Sequence, residues 1–171
     1  MGASQVPAAG AANPSDNFQL ISSVSASGSS VAFTSISGYK KLMLRVNNLT
    51  VGTNKTWTLR LNADSGSNYD YAFHYDGSTP NYRGVTLTGQ TEFGFPQTGT
   101  NLSAFFTIVN TDTTGVKSIE GSFKVTDATP VSYTSSDFSG NYYASASVST
   151  VTLSIGTGTL SGTIALYGVA A

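Results

Sequence analysis

The stretch Lys40–Tyr75, KKLMLRVNNLTVGTNKTWTLRLNADSGSNYDYAFHY, decides the fold class. Leu42, Leu44 and Val46 alternate with Lys41, Met43 and Arg45. Further on, Trp57, Leu59 and Leu61 alternate with Thr56, Thr58 and Arg60. An apolar residue at every second position puts one face of an extended chain in a core and the other in water, which is the pattern of a half-buried β-strand. Val51-Gly52-Thr53-Asn54 between the runs is turn-rich and predicts a hairpin that pairs them. Asp64-Ser65-Gly66-Ser67-Asn68 is a polar turn, and the aromatic run Tyr69, Tyr71, Phe73, Tyr75 follows it. The whole stretch reads as the central meander of a β-sandwich.

Working outward, Phe18–Val24 and Val31–Ile36 read as strands on either side of a small-residue turn at Ala26-Ser27-Gly28. Leu102–Asn110 carries apolar residues on both parities and reads as a central strand, and 111–115 as a hairpin turn. Ile119, Gly121, Phe123 and Val125 share a face of the next strand, with a register shift expected near Lys117-Ser118. Val151–Ile155 and Leu160–Val169 are strands around the turn Gly156-Thr157-Gly158, and Tyr142–Val148 is a weaker one. Residues 76–101 and 127–141, rich in Gly, Ser and Thr, read as loops, with a short strand open to Val85 and Leu87. A loop as long as 76–101 in a compact domain is usually functional or packed on a partner. No segment has the 3.6-residue period of an amphipathic helix. Nine or ten strands with turn signals every ~8–12 residues predict an all-β antiparallel sandwich. The expected division is an extended N-terminal arm, 1–17, and a sandwich domain, 18–171. Pro7 and Pro14 disfavour regular structure in the arm. Gln5, Val6, Pro7 and Pro14 are its expected partner-binding residues.

Charged residues make up only 10% of the 171-residue chain, against a typical ~25%. Ser and Thr take their place and exceed a quarter of the chain. Net charge is −1 and the eight Lys and Arg are scattered, so a phosphate-binding nucleic-acid interface is not expected. No apolar run is long enough to span a bilayer as a helix. The first residues, MGASQVPAAG, lack the basic and apolar regions of a secretory signal. There is no cysteine, which removes disulfides and Cys-ligated zinc. Without a secretion signal, the sequons at Asn48, Asn54 and Asn101 read as chance matches in a Thr-rich chain.

Few residues suggest chemistry. His74, the only histidine, lies near Asp70, Asp76 and Ser78, but nothing resembles a Gly-x-Ser-x-Gly nucleophile turn. If the aromatic run faces the core, His74 faces water. Asp64, Asn68 and Asp70 are closely spaced oxygen donors for a hard cation, although Gly66 breaks the EF-hand pattern. The competing reading is a turn in which Asp64 and Asn68 satisfy backbone donors. Asp76 and Glu92 would need to approach within ~5–10 Å to act as a glycosidase pair. Tyr82, Arg83, Phe93 and Phe95 are candidate loop contacts, as anchors or as partner or sugar contacts. Trp57 alternates with Leu59 and Leu61 and belongs to the core. No catalytic residue, metal or cofactor is assigned.

Several segments resemble a family of tailed-bacteriophage virion proteins built on jelly-roll-type β-sandwiches. They are Leu20-Ile21-Ser22-Ser23, Val31–Ile36, Tyr39–Arg45, Leu59–Tyr69 and Gly162–Gly168. Similar proteins carry an LNGDSGxNY-like segment, where this chain has Ala63 in place of the glycine. The resemblance implies a non-enzymatic structural protein, a jelly-roll-like sandwich and a homotrimer on a tail, fibre or capsid. The expected role is capsid decoration as a cement or head-fibre protein. Its partners would be itself and other virion proteins such as the major capsid protein, with assembly in the host cytoplasm and no nucleic-acid or membrane partner. The alternative is a tail-fibre module that uses the 76–101 region to bind a host surface glycan.

Overall fold

The computed structural model describes residues 17–76, 83–126 and 132–171. They form ten antiparallel strands and no helix: β1 Gln19–Ser25, β2 Ser30–Phe33, β3 Tyr39–Leu61, β4 Tyr69–Asp76, β5 Arg83–Gln90, β6 Phe93–Val109, β7 Lys117–Thr126, β8 Ser132–Tyr142, β9 Val151–Ser154 and β10 Leu160–Ala170. Eight of them run in the order β1-β10-β3-β6-β7-β8-β4-β5, while β9 pairs with β2 and β3 off this path. This is the all-β antiparallel sandwich that the alternation predicted.

The expected hairpin at 51–54 does not form. β3 runs straight from Tyr39 to Leu61, and its two apolar runs pair with other strands. Its first half lies between β10 and β6, with Leu44 opposite Leu166 on one side and Phe106 on the other. Its second half lies between β6 and β9, with Leu59 opposite Phe93 and Leu153. The turn-rich residues make bulges instead. Between Thr50 and Lys55 the register against β6 advances only from Asn101 to Gly99, so the extra residues loop out of the ladder. A second bulge between Val46 and Leu49 places Asn48 at φ 44, and its N–H bonds Ser103 Oγ at 3.0 Å. Gly52 has no positive φ and nothing forces reversal there. β3 and β4 are not neighbours, so the expected meander is also absent.

β3 and β6 pair along both halves, but their outer neighbours change, from β10 to β9 along β3, while β7 flanks only Asn101–Val109 of β6. The N-terminal part of β3 and the C-terminal part of β6 sit in the eight-stranded layer. Their other ends, with β2 and β9, cross over it. The facing side chains form one core. Leu42, Leu44, Trp57, Leu59, Tyr69, Phe73, Phe93, Phe95, Phe106, Ile164 and Leu166 are all fully buried. Phe95 stacks on Phe106 at 5.2 Å, and Phe93 meets Phe138 edge-on at 6.0 Å across the layers.

The polar turn after β3 is as expected, and its bonds are specific. Asp64 Oδ1 accepts from Gly66 N at 2.7 Å, and Oδ2 accepts from Asn68 Nδ2 at 2.8 Å and from Tyr142 OH at 3.0 Å. Tyr69 OH accepts from Leu61 N and lies in hydrogen-bonding range of Leu61 O and Asp64 O. Asn62 and Ala63 take φ 54 and 53, the left-handed region that disfavours a Cβ. A glycine would fit that geometry better than Ala63 does.

Candidate functional site

The candidates named from sequence do not converge. His74 is exposed on β4, with Gly84 of β5 and Asp137 of β8 as register partners. Tyr69, Tyr71 and Phe73 face the core, as the alternation required. Asp76 ends β4, while Glu92 follows β5 beside the opposite end of β4, where Tyr69 pairs with Gln90. Seven residues of extended chain, roughly 23 Å, separate those ends. Glu92 instead pairs with Arg60 at 2.8 Å. The two carboxylates are therefore not a glycosidase pair.

Asp64 and Asn68 close their own turn, and Asp70 faces away to accept from Gly89 N at 2.7 Å. Three hydrogen bonds and the Gly66 amide above all hold the Asp64 carboxyl below its usual range. Its partner Tyr142 is pushed up to about 12, chiefly by burial. Among the described residues no three His, Cys, Asp or Glu side chains cluster as metal ligands.

The short strand open to Val85 and Leu87 forms as part of β5, but the reading of the rest of 76–101 as a loop is corrected. Residues 83–90 and 93–101 are strand, and Phe93 and Phe95 are fully buried, so neither can touch a partner or a sugar. The backbone of Arg83 pairs with Tyr75 in β5. Tyr82 lies outside the described residues, as do Gln5, Val6, Pro7 and Pro14 of the arm. Residues 132–141 are likewise strand rather than loop, with Phe138 in the core, and 143–148 are not strand.

The register shift expected near Lys117-Ser118 lies instead between Gly121 and Phe123 against β8, and Lys117 is buried on the core side of β7 in line with Ile119. Its ammonium donates to Ala144 O at 2.9 Å and lies 6.0 Å from the Tyr142 ring centroid. Burial lowers its pKa.

The surface with most character is the outer face of the eight-stranded layer, which sequence reading did not single out. Its registers align one outward residue from every strand: Leu20, Tyr167, Met43, Thr107, Glu120, Ser139, Ala72 and Thr86, from β1 to β5. Toward β5 the face holds a groove of about 530 Å³ lined by Asp70, Thr86, Ser118, Glu120 and Asn141, with Tyr143 beside it. A second groove of about 400 Å³ runs between Phe105, Glu120 and Asp137. Toward β1 the face is apolar and basic, with Leu20, Phe105, Lys41 and Arg45 exposed. The signal available in sequence was the parity of Phe105, opposite to that of Phe106 and Ile108. Compared with protein-family models, curated proteins and solved structures, the chain matches none.

Proposed function

We propose that this chain is a non-enzymatic structural protein of a tailed-phage particle, a homotrimer that decorates the capsid surface and attaches to the major capsid protein through residues 1–17. The family resemblance supplies the setting, including the jelly-roll likeness and the location on the virion. One observation about the fold carries the attachment. Among the described residues β1, the first strand after the arm, is an open edge of the eight-stranded layer. Its sequence, QLISSVS, contains none of the charges or prolines that normally blunt an edge. A chain segment entering at such an edge is placed to reach a neighbouring protein or extend its sheet. A Ser/Thr-rich, weakly charged sandwich with one core through both layers suits a rigid displayed body.

The test is a chain starting at Phe18. It should keep its β-type circular dichroism and melting temperature, yet fail to bind particles that lack the protein. Binding equal to that of the full chain would end the attachment reading. Light scattering that shows a monomer at micromolar concentration would end the trimer.

The second reading, a tail-fibre module for host glycan, is favoured by the 530 Å³ groove, whose hydroxyls, carboxylates and neighbouring Tyr143 suit a sugar. A glycan array with the purified protein tests it, and an array without hits counts against it.

A further inference from the structure

We infer that the outer face of the eight-stranded layer is a self-association surface whose occupant is a second copy of this chain, the basic, apolar half of one copy lying on the acidic, grooved half of the next.

The charges on this face are segregated by strand. Lys41 and Arg45 project from β3, while Glu120, Asp137 and Asp70 project from β7, β8 and β4. Lys124, at the far end of β7 opposite Ser103, is the exception, and His74 stands beside Asp137. Among the described residues none of these charges joins a salt bridge, the one there being Arg60–Glu92, although Asp70 accepts from the Gly89 amide. The apolar half is exposed as well, Leu20 at 58% and Phe105 at 50%. Large apolar side chains grouped beside unpaired charge mark an interaction surface rather than a solvated one.

The register selects the partner. In the strand order the face has its midpoint between β6 and β7. A twofold axis running along the strands at that midpoint turns a second copy face to face with the first. It lays β3 of each copy over β8 of the other, and β6 over β7. Arg45 shares a row with Phe105, which pairs with Ser122. Asp137 falls in the same row, between the pairs Gly121–Phe138 and Phe123–Ser135. Arg45 of one copy therefore meets Asp137 of the next. Lys41, in the row of Val109, Ser118 and Asn141, meets the end of the groove where Asp70 lies. Phe105 comes to the groove between Glu120 and Asp137. The complementarity belongs to one copy's two halves, so a second copy answers it without any other partner. A twofold contact of this kind closes on a dimer, so the inference rests on the self-association in the proposed function and sets two copies in place of three.

Sedimentation of the full chain tests it, read against salt and against substitutions of exposed side chains. Association should weaken as salt rises. Arg45→Asp and Asp137→Arg should each weaken it about a hundredfold, since like charges then face each other. The Arg45→Asp/Asp137→Arg double substitution should restore it, and Phe105→Ser should weaken it at every salt concentration. Unchanged circular dichroism confirms that each variant is folded. A dimer with the charge-swap rescue supports this surface and ends the trimer reading, whereas a trimer overturns the twofold contact and leaves the trimer reading standing. A monomer at about 100 μM in low salt, single substitutions without effect, or a double substitution that does not rescue overturns the inference.

Discussion

The two halves of the core are built from different material. Around β4, β7, β8 and the start of β6 the interior is aromatic. Phe138 is its hub, touching the rings of Tyr71, Phe93, Phe95, Phe106 and Phe123. Around β2, β9, β10 and the start of β3 the interior is mostly aliphatic: Val31, Leu42, Leu44, Val46, Val151, Leu153, Ile164 and Leu166. An aromatic side chain buries 150–250 Å² and prefers edge-on or offset contacts with others. A few rings therefore fill a half-core alone, and the strands that carry them are free to be Gly, Ser and Thr between rings. Aliphatic side chains bury less each, so that half needs one at every inward position. The difference predicts where stability is concentrated and where it is spread.

The largest test replaces the hub. Phe138→Ala should cost about 4 kcal/mol and Val46→Ala about 2 kcal/mol in denaturant melts, because the ring leaves the larger cavity. Equal losses would break the comparison.

The glycines give the next. A Cβ on Gly140 would lie 2.7 Å from Phe93 Cε1 and 2.8 Å from Asp70 O, so Gly140→Ala should cost about 2–3 kcal/mol. Gly52 in the β3 bulge has open space, and Gly52→Ala should change stability by under about 0.5 kcal/mol. A tolerated Gly140→Ala would mean that the rings can repack.

The Asp64 turn is the seam, joining the end of β3 to Tyr142 on β8. The Asp64 carboxyl has a lower pKa folded than unfolded. Its contribution is therefore complete above an unfolded value of about 4 and fades as pH falls through the folded one. Asp64→Asn should lower the melting temperature at pH 7 and flatten its decline below about pH 4. An unchanged acid profile would show that the seam does not depend on this charge. A small gain is expected at Ala63. Ala63→Gly should raise stability by roughly 0.5–1 kcal/mol by relieving the left-handed backbone, and a loss would contradict that account.

The same difference explains what could be read from sequence. Leu42, Leu44, Val46, Trp57, Leu59 and Leu61 announced their strands because aliphatic packing imposes period two. Residues 93–101 and 132–141 were misread as loops because Phe93, Phe95 and Phe138 stand among Gly, Ser, Thr, Gln and Pro. There the core is filled by ring size rather than by repetition. The bulge at 51–54 was misread as a turn because local composition cannot tell chain reversal from an interrupted ladder. The choice is made by β6, roughly fifty residues later in the chain. The outer face was invisible for a related reason: its charges become two opposed groups only when the strand order places β3 and β8 on either side of β6 and β7.

That strand order also bears on how the chain can be made. β10, the last strand, lies between β1 and β3, with Leu166 against Leu44 and Ser22. Emerging from a ribosome, β1 and one flank of β3 wait for their shared neighbour among the described strands until Leu160–Ala170 appear. Contacts of such sequence separation form slowly, and bare strand flanks are where unfinished chains stick to one another. The closing strand thus sets a waiting period in which a low-charge, Ser/Thr-rich chain must stay dispersed. Chains released short of Leu160 should precipitate rather than fold into a smaller sandwich.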